Sequence, residues 1–240
     1  MRPVLAVLLV LTFAAIAVAA TTAGRASKAP SDAVNTAPRA TADPAETARA
    51  EVDHALGSSP GQGRGISPVV RGLMIPIEGA DIPTAPELLP NSPREYRAGW
   101  HEGIDFPADR GTPVRAAAAG TVIRVDRDFA DWDPDALDVA LQAAIALGYT
   151  PEPTLDRIRG RQVWIAIGRK VVTRYAHLDT VADLYVGESV ARGQLIGAVG
   201  SSGYEEGGPH LHFEVRVGDD YLGDWLEGDE LVRIVTRSFE

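Results

Sequence analysis

The chain has 240 residues, 45% of them apolar, which is enough for one sizeable domain with appendages. It contains no cysteine, so disulfides, thiolate metal sites and a cysteine nucleophile are excluded, and any metal must be held by histidine and carboxylate. A net charge of −10 argues against a nucleic-acid partner, since phosphate backbones require clustered lysine and arginine.

Residues 1–20 open with Met1, Arg2 and Pro3 and continue as an uncharged run over 4–20 that ends in small residues. One positive charge, an apolar core and a small-residue end predict a secretory signal peptide cleaved near Ala19 or Ala20. The other reading is an N-terminal membrane anchor over 4–20, at the short limit for a bilayer span. Both place the remainder outside the cytoplasm, in the periplasm, the cell envelope or the medium. Residues 21–65 are rich in Ala, Thr, Ser, Pro and Gly and predict a flexible linker, with a marginal helix over 41–56. His54 falls there and reads as a solvated linker histidine. Residues 66–96 carry Pro68, Pro76, Pro83, Pro86, Pro90 and Pro93. They predict an extended segment wrapped over a domain surface, with short strands at 69–70 and 73–77. Such a segment is also placed to cross a groove and hold an enzyme latent.

The ordered domain is predicted over 97–240. Short β-rich segments at 114–117, 120–126, 162–167, 170–177, 195–199 and 210–217 are each closed by Gly or Pro, and Gly168-Arg169 reads as a hairpin turn. The pattern indicates an all-β fold, an antiparallel β-sheet or sandwich-like core. One stretch departs from it. Asp133, Pro134 and Asp135 read as an N-cap, a first-turn proline and an acidic first turn. Leu137, Leu141, Ile145 and Leu147 then recur at helical spacing, and Gly148 stops the run. Residues 128–160 therefore read as a helical insertion between two strands, with 150–160 a polar return to the sheet.

Four of the five histidines lie between 101 and 212. His210 and His212 sit two apart on a predicted strand and so share a face, which suits one metal, or one metal and one proton-transfer group. His101 and Asp105 are four apart, and Gly103 between them makes this a turn leading into a strand. His177 ends another strand. Imidazole and carboxylate are ligands zinc accepts. A catalytic zinc takes three protein ligands and leaves one position open, so a histidine remains for acid–base chemistry.

His101-x-x-x-Asp105, the Tyr175-Ala176-His177-Leu178 segment and Gly208-Pro209-His210-Leu211-His212-Phe213-Glu214 together resemble the LytM/lysostaphin-type zinc metallopeptidases. Supporting stretches at 103–106, 111–117, 120–122 and 186–200 extend the resemblance over roughly 97–225. It implies a duplicated hybrid motif fold. It also implies that one zinc ion is held by His101, Asp105 and His212, with His177 and His210 as the catalytic histidines. The implied activity is cleavage of peptide bonds in peptidoglycan stem peptides or cross-links, by water activated on zinc. The family pattern does not divide the roles of His177 and His210. The insertion 128–160 is longer than the family's usual connection, so substrate preference does not carry over.

Two rival readings exist. Degenerate LytM-like proteins activate or scaffold other cell-wall hydrolases, but they lose zinc ligands that are all present here. The 186–197 stretch is similar to biotinyl and lipoyl hairpins, but Lys170, the only lysine of the predicted domain, lacks the sequence context those carriers need.

Overall fold

The computed structural model describes residues 70–240. The predicted signal or anchor, the linker with its marginal helix, and His54 lie outside the described residues. Among the described residues, no helix is long and apolar enough to cross a membrane.

The described chain is mostly antiparallel β-structure, as the alternation of short strands implied. β1 (Pro93–Arg94) pairs with β2 (Gly99–Trp100), and β3 (Ile104–Pro107) follows. β4 (Pro113–Arg115), β5 (Gly120–Val125), β6 (Val163–Gly168), β7 (Val171–Ala176) and β8 (Leu178–Val181) come next. The series ends with β9 (Ser189–Val190), β10 (Leu195–Val199), β11 (His210–Val217) and β12 (Asp220–Tyr221). The main sheet runs β12-β11-β7-β6-β5-β9, with β3 also on β11, and a smaller sheet runs β4-β10-β8.

β11 organises the main sheet because its two faces have different chemistry. Leu211, Phe213 and Val215 enter the core with Phe106, Ile165, Tyr175 and Ile196. The alternate residues His210, His212 and Glu214 therefore point to the opposite face. Phe213 and Tyr175 sit across the β7–β11 ladder with ring centroids 5.2 Å apart.

The insertion forms as predicted at its start. α1 (Pro134–Leu147) is capped by the Asp133 carboxylate, which accepts from the Asp135 and Ala136 N–H groups, and it ends at Gly148 in the left-handed region. The return, predicted as a polar stretch, is instead helical. α2 (Glu152–Ile158) is only 7 residues long and has no side-chain N-cap hydrogen bond, so the burial of Leu155 and Ile158 holds it. The turn between β6 and β7 falls at Arg169-Lys170 rather than Gly168-Arg169, and Lys170 takes a positive φ of 62°.

Two further differences concern the ends of the domain. The 73–77 stretch forms a single bridge, Ile77 to Val114, instead of a strand. Its Leu73 and Ile77, with Leu89, enter the core as anchors, while most of 70–96 stays exposed or half-buried. At the other end, α3 (Gly228–Ser238) was not predicted. Leu231, Val235 and Ser238 recur at helical spacing on its buried face, a signal that the surrounding charges obscured.

Candidate metal centre

Strand register brings the first two site residues together. Antiparallel pairing of β3 with β11 sets Asp105 directly opposite His212, and such pairs hold their Cβ atoms about 5 Å apart. His101 reaches the same point from the turn before β3. Gly103 lets that turn lie against β11, since a Cβ there would stand 2.6 Å from the Phe213 carbonyl oxygen and 2.9 Å from His212 Cε1. His212 Nδ1 lies 2.8 Å from Asp105 Oδ1 and 3.0 Å from His101 Nε2, and His101 Nε2 lies 2.9 Å from the same Asp105 oxygen. All three residues are buried, and they form the one such donor cluster among the described residues.

The surroundings fix which ring atoms face inward. His101 Nδ1 donates to the Leu89 carbonyl at 2.8 Å, so its Nε2 presents a lone pair. His212 Nε2 lies 3.1 Å from Glu214 Oε1 and donates to it. Arg94 Nη2 donates to Asp105 Oδ2 at 3.0 Å and leaves Oδ1 for the cluster. A proton on His212 Nδ1 is shared with its two neighbours, but His101 Nε2 and Asp105 Oδ1 still face each other as two acceptors. A cation among the three satisfies every donor atom. Tetrahedral bonds of about 2.0–2.1 Å place neighbouring zinc ligands roughly 3.3 Å apart, close to the separations found here. The residues fit zinc.

His177 and His210 flank this cluster. Their rings are 4.7 Å apart, and that of His177 lies 5.8 Å from that of His212. His177 Nδ1 donates to the Ser202 carbonyl and His210 Nδ1 to the Gly208 carbonyl, both at 2.9 Å, which leaves each Nε2 free to exchange a proton. His210 Nε2 is 3.7 Å from Asp105 Oδ1. His177 has φ 58°, a conformation few side chains adopt, and strain of this kind is a marker of functional positions. The structure thus gathers His101, Asp105, His177, His210 and His212 around one point.

Burial governs the electrostatics. It lowers His177 to about 3, assisted by His210 and His212. It lowers His101 as well, against the attraction of Asp105. Burial alone would raise the Asp105 carboxyl, but His101 and His212 outweigh it and hold the group well below the usual carboxylate range. For His212, burial is overcome by hydrogen bonds to Asp105 and Glu214, which raise it.

Beyond this shell lies a network that the sequence reading did not assign. Glu214 is fully buried; Arg159 and Arg174 donate to its two carboxylate oxygens. Arg159 also binds Glu102 and Glu152. The one signal for Glu214 was its place on the His210/His212 face of the strand. The site opens into a cleft of about 500 Å³, walled by the 87–97 segment, by α2 and by the 204–210 loop. Tyr96 and Tyr204 stack across it with centroids 4.9 Å apart.

Two histidines and one aspartate in metal-ligand geometry, with two further imidazoles beside them, make a candidate centre for a metal ion on an antiparallel β-fold. Residues 143–223 match Peptidase family M23, and the chain carries a peptidase family M23 domain, as its motifs implied. The matched span includes His177, His210 and His212, while His101 and Asp105 lie outside it, about 40 residues before its start.

The chain is 34% identical over 117 residues to DD-carboxypeptidase/endopeptidase Mpg of Neisseria meningitidis, covering 49% of this chain and 20% of that protein. It is 29% identical to the peptidoglycan DD-endopeptidase ShyC of Vibrio cholerae, with the same coverages of 49% and 20%. The chain therefore spans about a fifth of the length of these two relatives. Among solved structures, a zinc-containing peptidase from Vibrio cholerae aligns with a TM-score of 0.44 at 26% identity, over 63% of this chain and 39% of that one.

Proposed function

We propose that this protein is an exported zinc metalloendopeptidase that hydrolyses peptide bonds in bacterial peptidoglycan, in a stem peptide or a cross-link. The observation that carries this reading is the convergence of His101 Nε2, Asp105 Oδ1 and His212 Nδ1, with His177 and His210 alongside. The M23 match and the peptidoglycan endopeptidase among the relatives support the substrate class. In this reading residues 1–20 direct export or anchor the chain, 21–65 are a linker, and 97–240 form the peptidase domain with its insertion at 128–160.

His101, Asp105 and His212 hold the zinc. Bound there, the ion supplies Lewis acidity, which acidifies a water and polarises the scissile carbonyl. His177 and His210 do the proton work. Each has Nδ1 committed to a backbone carbonyl and Nε2 turned to the site, so each can take a proton from water or give one to the leaving amine. Burial keeps His177 neutral near pH 7, so its Nε2 carries a lone pair toward the site. The substrate peptide lies extended in the cleft between the 87–97 segment and the 204–210 loop, where backbone pairing at a strand edge orients it.

The test is digestion of purified peptidoglycan by the zinc-loaded full-length protein, with mass analysis of the fragments. New free amino groups within the peptides are expected. A protein that binds zinc yet releases none, both intact and with 66–96 deleted, overturns the enzyme reading in favour of a non-catalytic activator.

A further inference from the structure

The insertion ends in a residue that touches both halves of the proposed site. Arg159 caps the C-terminus of α2 and is only 3% exposed. Its Nε donates to Glu214 Oε1 at 2.6 Å, the oxygen that also accepts from His212 Nε2. Its Nη1 donates to Glu152 at 3.0 Å and its Nη2 to Glu102 at 2.8 Å, so the guanidinium is held on three sides. Its main-chain carbonyl accepts from the His177 N–H at 2.8 Å, at the residue with φ 58°. The next residues continue the brace. The Arg161 N–H donates to Ser202 Oγ at 2.9 Å, and the Ser202 carbonyl is the one that orients the His177 ring.

We propose that Arg159 is a positioning residue for the metal site. Its side chain aims Glu214, and through it His212, while its backbone sets His177. This makes the helical insertion a part of the site's support and not a cover for the sheet. The proposal rests on the zinc reading above.

The physical case has two parts. A ligating histidine is oriented by whatever its second nitrogen binds, and losing that partner typically weakens metal binding about 10- to 100-fold. A fully buried carboxylate beside His212 must itself be held in place. Arg159 Nε bonds the same Glu214 oxygen as His212, at 2.6 Å, and Arg174 Nη1 lies on the other oxygen at 3.3 Å. A bidentate or forked guanidinium contact fixes direction in a way an ammonium cannot. Arg159→Lys therefore keeps the charge and loses the aim.

The experiment measures zinc affinity of the full-length protein by chelator competition, together with the melting temperature of the zinc-free form. Arg159→Lys is expected to weaken zinc about tenfold, and Glu214→Gln by a similar factor. The double variant should be no weaker than the worse single one, because both changes act on one path. Arg124→Met is the comparison. Arg124 pins Asp156 of the same helix at 2.6 and 3.0 Å but touches neither Glu214 nor His177, so it should lower the melting temperature and leave zinc affinity unchanged.

Wild-type zinc affinity in Arg159→Lys, additive losses in the double variant, or an equal loss in Arg124→Met would each overturn the proposal. If Arg159→Lys does not fold, Glu214→Gln decides alone, and unchanged zinc affinity there overturns it. A wild-type protein that binds no zinc would defeat the metalloenzyme reading itself, an outcome distinct from all of these.

Discussion

Arg94 Nη2 donates to Asp105 Oδ2 at 3.0 Å, and this contact turns the other carboxylate oxygen toward His101 and His212. Arg94 belongs to the proline-rich stretch before the strands that carry the site. The same stretch supplies the Leu89 carbonyl that orients His101. Arg94→Ala is therefore expected to weaken zinc binding by about tenfold, with little change in the fold, as read by chelator competition and circular dichroism. Deleting 70–96 should lower zinc affinity and stability together, because Leu73, Ile77 and Leu89 leave the core with it. A rise in peptidase activity on that deletion would show instead that the segment holds the enzyme latent.

The imidazoles should separate by readout. His177→Ala and His210→Ala are expected to abolish peptide cleavage, by at least about a hundredfold, while zinc remains bound. Asp105→Ala should lose both metal and activity, seen as zinc-free protein by elemental analysis. His177→Gly should be more stable than His177→Ala by about 1 kcal/mol, because only glycine takes a positive φ without cost.

Gly103→Ala tests the turn that brings His101 to β11. The added methyl would meet the Phe213 carbonyl oxygen and His212 Cε1 inside 3 Å. Backbone cannot yield there as a flexible side chain would. We expect a loss of about 2 kcal/mol in thermal or denaturant unfolding and a weaker metal site.

The zinc-free protein should lose stability in mild acid partly through His177. Its folded pKa of about 3 lies below the unfolded value of 6.5, so the unfolded chain takes up the proton first as pH falls. That contribution is fully present above pH 6.5 and declines from there toward pH 3, by at most about 1.4 kcal/mol per pH unit for one proton. His177→Gln should flatten the slope of unfolding free energy between pH 6.5 and 4.5 relative to wild type. An unchanged slope would show that His177 is not buried neutral.

The sequence by itself determined the alternating strands and the capped start of α1, and its motifs named the five residues of the candidate site. Those features are local, or are carried by motifs of fixed residue type and spacing. A strand's period of two shows on its face that His210 and His212 share a side. The helix Glu152–Ile158 was hidden because its 7 residues are too few to show a period, it lacks a side-chain cap, and its stability comes from burying Leu155 and Ile158. The entry of Leu73 and Leu89 into the core was hidden because a proline-punctuated segment carries no periodicity. Only the tertiary structure decided that Asp105 stands opposite His212, a matter of register between strands 107 residues apart. Only it placed Arg94 on Asp105 and Arg159 on Glu214. Buried ion pairs between distant segments leave no trace in local pattern, because what selects each partner is the desolvated charge it must answer.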